Sequence, residues 1–378
     1  MTGWKEFRLD ELGEILNSHR VPLSSLVRAK RQGKYPYYGA SGIVDYIDDY
    51  IFDGEHLLIS EDGENLVSRS TPIAFIADGQ FWVNNHAHIF KGHAPYMNGL
   101  AKHYILASDL NEYITGAAQP KLSKAALLSI PFFLPINEAE QEALSAVLSS
   151  LDGKIDLLHR QNATLRAMAE ALFHQLFVVE TKDEWEEKPL LHYIKLIGGG
   201  TPKTYVKEYW NGAIPWLSGG DIANAHKSFA LQSVKTITEV GIDKSSAKLL
   251  PKFSTLLTAR GTVGKYCLLG RPMAYSQTNY GILPVDNHSY FFTFLLIDHV
   301  VKELQMAAYG SVFDTITTQT FDNVKISLPS QDLIRRFDTK ICVIFFKIFA
   351  NQTQICTLQK LRDTLLPKLM SGEVRVEF

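Results

Sequence analysis

Cysteine is scarce in this chain. It has three, Cys267, Cys342 and Cys356, among 378 residues, with no CxxC pair. An odd, scattered set excludes a disulfide framework and a cysteine-based zinc site, and makes a reducing cytoplasm the expected compartment. Long apolar runs are also missing. The opening MTGWKEFRLDEL has no apolar core, so it reads as neither a signal peptide nor a transit sequence. The most apolar segment, Ile341 to Phe349, is short and holds Lys347, well under the ~18 uninterrupted apolar residues of a membrane helix, so no membrane association is expected. Nor does one charge dominate: 38 Lys+Arg against 40 Asp+Glu gives 38 − 40 = −2. That total hides two unlike halves. Residues 1–180 carry 15 basic and 22 acidic side chains, net −7, and residues 181–378 carry 23 and 18, net +5. With 46% hydrophobic and 21% charged residues the chain is an ordinary globular one, long enough for two to three domains of roughly 100–200 residues.

Catalytic signatures are missing too. GTVGK at Gly261–Lys265 has GxxGK spacing instead of the GxxxxGK[ST] of a phosphate loop, and GGGTPK at Gly198–Lys203 also fails. There is no G-x-S-x-G, no H-E-x-x-H, no nuclease cluster of carboxylates with lysine, and no Asx-Pro-Pro-aromatic tetrad of an amino-methyltransferase; Thr278-Asn279-Tyr280-Gly281 only echoes the last. His86 and His88, two apart on an expected strand, point the same way, but no third ligand lies near, so a packing or hydrogen-bonding role is expected over a metal. The acidic stretch Asp45, Asp48, Asp49, Asp53, Glu55, Glu61, Asp62, Glu64 matches no metal loop and reads as a solvated or partner-facing surface. No catalytic residue and no metal ligand is assigned. The chain reads as a binder, not an enzyme.

What is present is a repeat with a period of about 193 residues. Thr164-Leu165, Met168, Leu172 and Leu176 align with Thr357-Leu358, Leu361, Leu365 and Leu369. At one residue more, Gly116, Leu122, Leu134 and Pro135 align with Gly310, Ile316, Leu328 and Pro329. Upstream, Leu57-Leu58-Ile59 and Gly63 resemble Leu256-Leu257 and Gly261, and Asn84-Asn85-His86 falls opposite Gln277-Thr278-Asn279. The order is globule, helix, globule, helix, with bounds at 1–135, 136–180, 181–329 and 330–378.

The helices carry the clearest pattern. Apolar positions step 4-3-4-3 through Leu144, Leu148, Leu151, Ile155, Leu158, Asn162, Leu165, Ala169, Leu172 and Leu176, a heptad seam. The repeat offset gives Phe337, Ile341, Ile344, Ile348, Asn351, Ile355, Leu358, Arg362, Leu365 and Leu369. About 40 residues at 1.5 Å each make each helix about 60 Å long, and neither can bury its seam alone. An antiparallel pairing with matched ends makes opposed positions sum to 513, which places Asn162 opposite Asn351. In a parallel pairing each Asn would face an apolar residue, at about 1–3 kcal/mol each. The spacing therefore predicts an antiparallel coiled coil with an Asn162–Asn351 contact; the alternative is that each Asn lies at a solvated seam edge. Gly153 is a weak spot in the first helix, and Leu366-Pro367 is expected to kink or end the second.

The globules, with short runs such as GIVDYIDDYIF (42–52), HLLIS (56–60), IAFIA (73–77) and STLLTARG (254–261), read as α+β domains of strands and tight turns, with helical breaks at Ala139–Leu144 and Phe291–Leu304. Basic and aromatic residues interleave twice: Lys30, Arg31, Lys34, Tyr35, Tyr37, Tyr38, and then Lys203, Tyr205, Lys207, Tyr209, Trp210, Trp216. Such runs suit phosphate neutralisation, and Asn84, Asn85 and His86 with Gln277 and Asn279 suit readout of base edges. On composition alone, aromatics in the core and basic residues in solvent explain the same runs.

YPYYGASGIVDYIDDYIFDGEHLLISEDG (35–63), WVNNHAHIF (82–90), GGTPKT with YWNGAIPWLSGGDI (199–204, 209–222) and LRDTLLPKLMSGEV (361–374) resemble, in order, motifs of the specificity subunits of type I restriction-modification systems, the HsdS family. The resemblance implies two target recognition domains joined by two long helices that form an antiparallel coiled-coil spacer with internal pseudo-two-fold symmetry. It implies a host-defence subunit without catalysis of its own that binds a bipartite double-stranded DNA target, one half-site per domain, with the spacer setting the gap. It implies two methyltransferase subunits and motor-nuclease subunits as partners, which bring S-adenosylmethionine, ATP and Mg. Within the motif regions the candidate DNA contacts also include Ser41, Asp62, Arg69, Ser218, Asp221, Arg260 and Lys265. The first repeat has Glu61-Asp62-Gly63 where the second has Arg260-Gly261, so the second loop can engage phosphate directly, while acids in the first would read a base amino group or stand off. The alternatives are a specificity subunit of a related type II system, a standalone metal hydrolase at Asp45–Glu64 with His86 and His88, and a protein-binding relative on the same fold.

Overall fold

The computed structural model describes residues 3–286, 288–309 and 315–377. Gly310, and the outermost residues of the predicted first and last segments, lie outside them. The chain divides into two compact units: Met1–Asp156 with Thr357–Phe378, and Leu157–Cys356. The division falls inside both long helices instead of at the globule–helix joints, so each unit owns one globule and part of both helices.

In unit one, an antiparallel sheet runs in the order Gly13–Ile15, Ala87–Gly92, His56–Ser60, Ala74–Ala77. A second sheet runs Gly42–Ile47, Gln32–Gly39, Gln80–Val83, Phe52–Asp53, and its central pair is parallel, Tyr37 beside Trp82 and Tyr38 beside Val83. The strand His56–Ser60 is buried throughout because it is covered on both faces. Its period of two sends Leu57 and Ile59 into one core cluster and Leu58 into another.

Unit two repeats the plan. One sheet runs Ile194–Gly198, Asn279–Pro284, Thr255–Thr258, Tyr266–Leu269, with Phe229–Ala230 added at its edge; the other runs Lys235–Ile237, Trp210–Leu217, Met273–Tyr275, Leu249–Leu250, again with a parallel central pair. Leu257 and Leu256 divide between two clusters as Leu57 and Leu58 do. Each first sheet has a helix in its unit, Met97–Ala107 in one and Tyr290–Tyr309 in the other. The second of these was expected. The first was missed because Gly99 and His103 interrupt its apolar stripe. Gly99 is there for close approach: a Cβ would meet Ser145 Oγ at 2.9 Å. Ala139–Leu144, read as a helical break in the globule, is the opening of the central helix.

The two long helices span Glu138–His174 and Gln331–Met370. Asn351 Nδ2 donates to Asn162 Oδ1 at 2.9 Å, which fixes the antiparallel register with opposed positions summing to 513. Leu144, Leu148, Ile155, Leu158, Ile341, Ile348, Asn351 and Ile355 are buried, and Leu151, Leu165, Ile344, Leu358 and Leu365 are half-buried. The predicted seam fails at one end. Leu172 and Leu176 are 45% and 39% exposed, and Phe173 and Phe177 are buried in their place. A straight helix drifts about 20° per heptad, and after His174 the chain continues as a π-helical turn, Gln175–Val179, so that Phe173 and Phe177 face the globule core. Phe177 meets Phe337 with ring centroids 4.8 Å apart, and Phe173 meets Phe292 at 5.6 Å. Gly153 sits exposed within an unbroken helix, and Pro367 lies in the last turn, where the helix runs on only to Met370. Among the described residues one helix, Gln331–Met370, is long and apolar enough by length and composition to cross a membrane; Ile341, Phe345 and Ile348 are buried in the unit-two core and Leu366, Leu369 and Met370 in the unit-one core.

The Asn layer has a measurable signature. Asn162 Nδ2 has no partner of its own. Asn162→Leu is expected to leave the Asn351 amide with only the longer bond to Gln161 Oε1 at 3.4 Å and to lower stability by about 1 kcal/mol, and adding Asn351→Leu to restore it. Urea denaturation of both variants checks this; a double mutant as unstable as the single would show that the two side chains are not coupled.

Candidate nucleic-acid interface

The parallel central pairs bring three loops together in each globule. In unit one, Asn84 N–H donates to the Tyr38 carbonyl at 3.0 Å and Glu61 N–H to the His86 carbonyl at 2.9 Å. Segments 39–42, 60–63 and 84–86 therefore meet at one end of the strands. Asp62 lies 2.9 Å from His86 Nδ1, and Asn84 Oδ1 accepts from His86 N–H at 2.8 Å. Ser41 and Asn85 are exposed.

A residue not picked out from the sequence holds this cluster. Arg20 Nη1 lies 2.6 Å from Glu61 Oε2 and donates to the carbonyls of Ala87 at 2.8 Å and Asn85 at 3.3 Å. Lys121 and His88 stand 3.4 and 3.6 Å from the same carboxylate. Burial works to raise the Glu61 pKa, but Arg20, His88 and Lys121 together hold it below the usual carboxylate range. No motif marks Arg20; its role comes from a contact 41 residues away in sequence.

His86 and His88 do not face the same way. His86 precedes the strand and turns to Asp62, whereas His88 is buried between Asn17 Nδ2 at 2.8 Å and the Leu122 carbonyl at 2.7 Å. Burial pushes the His88 pKa down, against the Leu122 carbonyl and Glu61, which act to raise it. Among the described residues no group of three or more metal-ligating side chains forms.

Unit two builds the same cluster. Ser276 N–H donates to the Leu217 carbonyl at 2.9 Å and Ala259 N–H to the Thr278 carbonyl at 3.0 Å. Thr258 pairs with Asn279 as Ser60 pairs with Ala87. Structurally, then, Ser276-Gln277-Thr278 takes the place of Asn84-Asn85-His86, one residue short of the sequence alignment. Asn279 corresponds to Ala87 and is buried, its amide donating to Ser276 Oγ at 2.7 Å. The exposed pair is Asn85 and Gln277. Asp62 corresponds to Arg260, and the glycines that follow, Gly63 and Gly261, have φ of 109° and 77°, the left-handed turn that glycine adopts without strain.

Several candidates are corrected by their surroundings. Tyr37 is fully buried, its hydroxyl accepting from Leu23 N–H at 2.9 Å. Trp216 is buried and donates from Nε1 to the Gly200 carbonyl at 3.0 Å. These two hold equivalent places in the parallel pairs and point into the core. Ser218 and Asp221 form a capping box on the helix Gly219–Asn224. Arg69, at φ 47°, donates to the carbonyls of Leu106 and Ser108 at 3.2 and 2.8 Å, closing the end of the helix Met97–Ala107. Arg31 pairs with Asp48 and Asp49 and lies over the Trp82 ring. Lys265 is half-buried beside the Arg260 loop, and Lys30, Lys34, Lys203, Tyr205, Arg260 and Gln277 stay exposed.

The acidic stretch is largely satisfied from within. Asp45 pairs with Arg28 at 3.0 Å, Asp48 with Arg31 at 2.9 Å, Glu61 with Arg20 and Asp62 with His86. Asp53 accepts from Gln80 at 3.3 Å, and Glu55 from Asn98 at 3.2 Å. The net −7 of the first half therefore does not describe a bare acidic face.

Two copies of one α+β domain, each presenting a three-loop polar cluster and each carrying part of a helical pair, define a tandem sequence-recognition protein. Residues 1–167 and 182–362 each match the family described as Type I restriction modification DNA specificity domain. These matches span most of the chain, and it belongs to that family: it is a DNA specificity subunit of the type I restriction-modification kind, a recognition chain and not a catalytic one. It is 24% identical over 414 aligned residues to the type I restriction enzyme MjaIX specificity subunit of Methanocaldococcus jannaschii, covering 99% of this chain and 94% of the relative. It is 28% identical over 337 residues to a putative type I restriction enzyme specificity subunit of Haemophilus influenzae, covering 86% and 83%. The crystal structure of a type I restriction-modification S subunit from M. genitalium has the same fold, with a TM-score of 0.66 at 16% identity over 97% of this chain and 96% of that one.

Proposed function

We propose that the chain binds a bipartite double-stranded DNA target, one half-site at each three-loop cluster, and that the paired helices hold the gap between the half-sites. The observation that carries this reading is the recurrence of the same loop cluster at the same strand ends in both units, with an exposed amide, Asn85 or Gln277, in each. Asn and Gln side chains can pair with adenine N6 and N7, and an arginine can bridge guanine O6 and N7 or neutralise phosphate. Methyltransferase and motor-nuclease subunits are the proposed protein partners. S-adenosylmethionine, ATP and Mg belong to them in this scheme. A cavity of about 520 Å³ in unit two supports docking of a partner there: Leu176, Phe177, Trp185, Leu333 and Phe337 line it, with Lys182, Arg336 and Lys340 at its rim.

The test is a map of modified bases in cells carrying this gene with its methyltransferase. One motif of two half-sites at a fixed gap is expected; scattered or contiguous modification would end the proposal. Arg260 gives a finer check. It is exposed and makes no ion pair among the described residues. Arg260→Ala is expected to weaken DNA binding by the assembled methyltransferase and to reduce its salt slope by about 1 if the contact is to phosphate. Unaltered affinity and slope would remove Arg260 from the interface.

A further inference from the structure

Unit one contains a charged junction that the recognition loops do not use. Asp152, on the central helix, lies 2.5 Å from Lys102 Nζ and accepts from Arg362 Nη1 at 3.1 Å. Lys102 belongs to the globule helix Met97–Ala107, and Arg362 to the C-terminal helix. One carboxylate thus ties the globule to both helices. Its side chain is 25% exposed, and those of Lys102 and Arg362 are 15% and 30% exposed. The His103 ring nitrogen Nε2 is 3.7 Å away. Burial, with Lys102 beside it, lowers the His103 pKa to about 4, so the ring is neutral near neutrality and the charge partners of Asp152 are the lysine and the arginine.

Apart from two neutral hydrogen bonds at the start of the globule helix, Ser145 Oγ to the Tyr96 carbonyl at 2.9 Å and the Tyr96 hydroxyl to Gln141 Oε1 at 3.4 Å, the contact between this globule and its helices is mainly apolar. Leu100, Ala101, Leu144, Leu148, Leu366 and Leu369 share one apolar cluster. Apolar burial is not directional, and repeated leucines offer similar burial after a slip of one helical turn. Such a slip would move the globule by about 5.4 Å, more than the ~3.4 Å rise of one base pair. Charge-assisted hydrogen bonds are directional, and the three-way junction closes at one position only. Ion pairs of this kind often add little stability and are best attested as devices that fix registry.

The junction is also not inherited from the repeat. At the 193-residue offset the position of Asp152 is taken by Phe345, which is buried in the unit-two core, and that of Arg362 by Ala169. Unit two ties its globule down elsewhere. Lys227 pairs with Asp298 at 2.7 Å and Glu170 at 3.8 Å, Arg166 donates to the Lys227 carbonyl at 2.9 Å, and Ser228 donates to Gln352 at 3.3 Å. Each globule is therefore set on its helices by its own polar clasp.

We propose that Asp152 is a positioning residue: with Lys102 and Arg362 it fixes the phase of the first recognition globule on the helix pair, and so sharpens the half-site gap. This rests on the bipartite reading above. The experiment uses the assembled methyltransferase on duplexes carrying the two mapped half-sites at gaps of n − 1, n and n + 1 base pairs, where n is the wild-type gap. The triple variant Lys102→Met, Asp152→Leu, Arg362→Met keeps the side-chain bulk and removes the charges. Methylation at n − 1 or n + 1, relative to n, is expected to rise at least tenfold, with the half-sites unchanged and thermal stability not lowered. A loss of rate shared equally by all three duplexes, or unchanged gap discrimination, overturns the proposal. If the triple variant does not assemble, Asp152→Asn read on the same duplexes decides it by the same ratio. A wild-type complex with no bipartite motif would instead remove the reading on which the proposal stands.

Discussion

Removing one heptad from each long helix, residues 154–160 together with 353–359, is expected to shorten the half-site gap and to leave both half-sites unchanged. The two deletions are matched, since 154 + 359 and 160 + 353 both equal 513, the sum fixed by the Asn162–Asn351 bond. They remove two apolar layers and keep the asparagine layer and the Asp152 junction. Seven residues at 1.5 Å each are about 10 Å, close to the rise of three base pairs. A heptad returns a coiled-coil seam to nearly the same face, so the globules translate with little rotation and the DNA twist must absorb the difference. Sequencing of modified bases gives the new gap directly. An unchanged gap in a stable, methylating variant would refute the helical ruler.

Arg20→Ala should have the larger effect on a single half-site. The substitution removes the closest partner of Glu61 and two hydrogen bonds to the 85–87 backbone at once, all made by Nη1. Breaking a buried ion pair from one side costs about 3–5 kcal/mol, and with Glu61 still near Lys121 the expected loss is about 2–3 kcal/mol. The loops at 60–63 and 84–86 then lose their common anchor, and methylation should fail on duplexes that require the first half-site, while contacts at the second persist. The pH dependence carries a sign. The folded-state pKa of Glu61 is lowered, so its contribution is present above the ordinary carboxylate range and is lost as pH falls through the folded value. Arg20→Ala should therefore flatten the acid side of the stability curve. A variant with wild-type stability, acid sensitivity and first half-site modification would show that Glu61 is held by its other partners.

Much of this architecture is legible in the residues. The heptad steps gave the two helices, their antiparallel pairing and their asparagine layer, because a seam with a single asparagine per helix has few registers that pair the two amides. The repeat was visible because the buried strand pairs, Leu57-Leu58 and Leu256-Leu257, need the same apolar run in both copies. What escaped depends on direction in space. Tyr37 and Trp216 sit among basic residues in sequence, yet a strand sends neighbours to opposite faces, and the ring goes inward while the lysines stay in water. Leu172 and Leu176 fit a heptad better than Phe173 and Phe177 do, but the globule core takes the rings. Asn279 looked like a base reader because an alignment by repeat offset cannot detect a shift of one residue; the strand pairing Thr258–Asn279 can. Arg20 and the Asp152 junction depend on contacts across 41 and 210 residues, which no local pattern encodes.

The division of the chain into its two units has a consequence for biosynthesis. Unit two is one continuous stretch, Leu157–Cys356, whereas unit one is split around it. As the polypeptide leaves the ribosome, the first sheets emerge early, but Leu144 and Leu148 wait for Leu366 and Leu369 to join their cluster. Glu140 likewise waits for Arg375, which clasps it through two hydrogen bonds at 2.8 and 2.5 Å. The domain translated first is thus the last to close, and a nascent chain halted between the two units would carry a bare leucine seam.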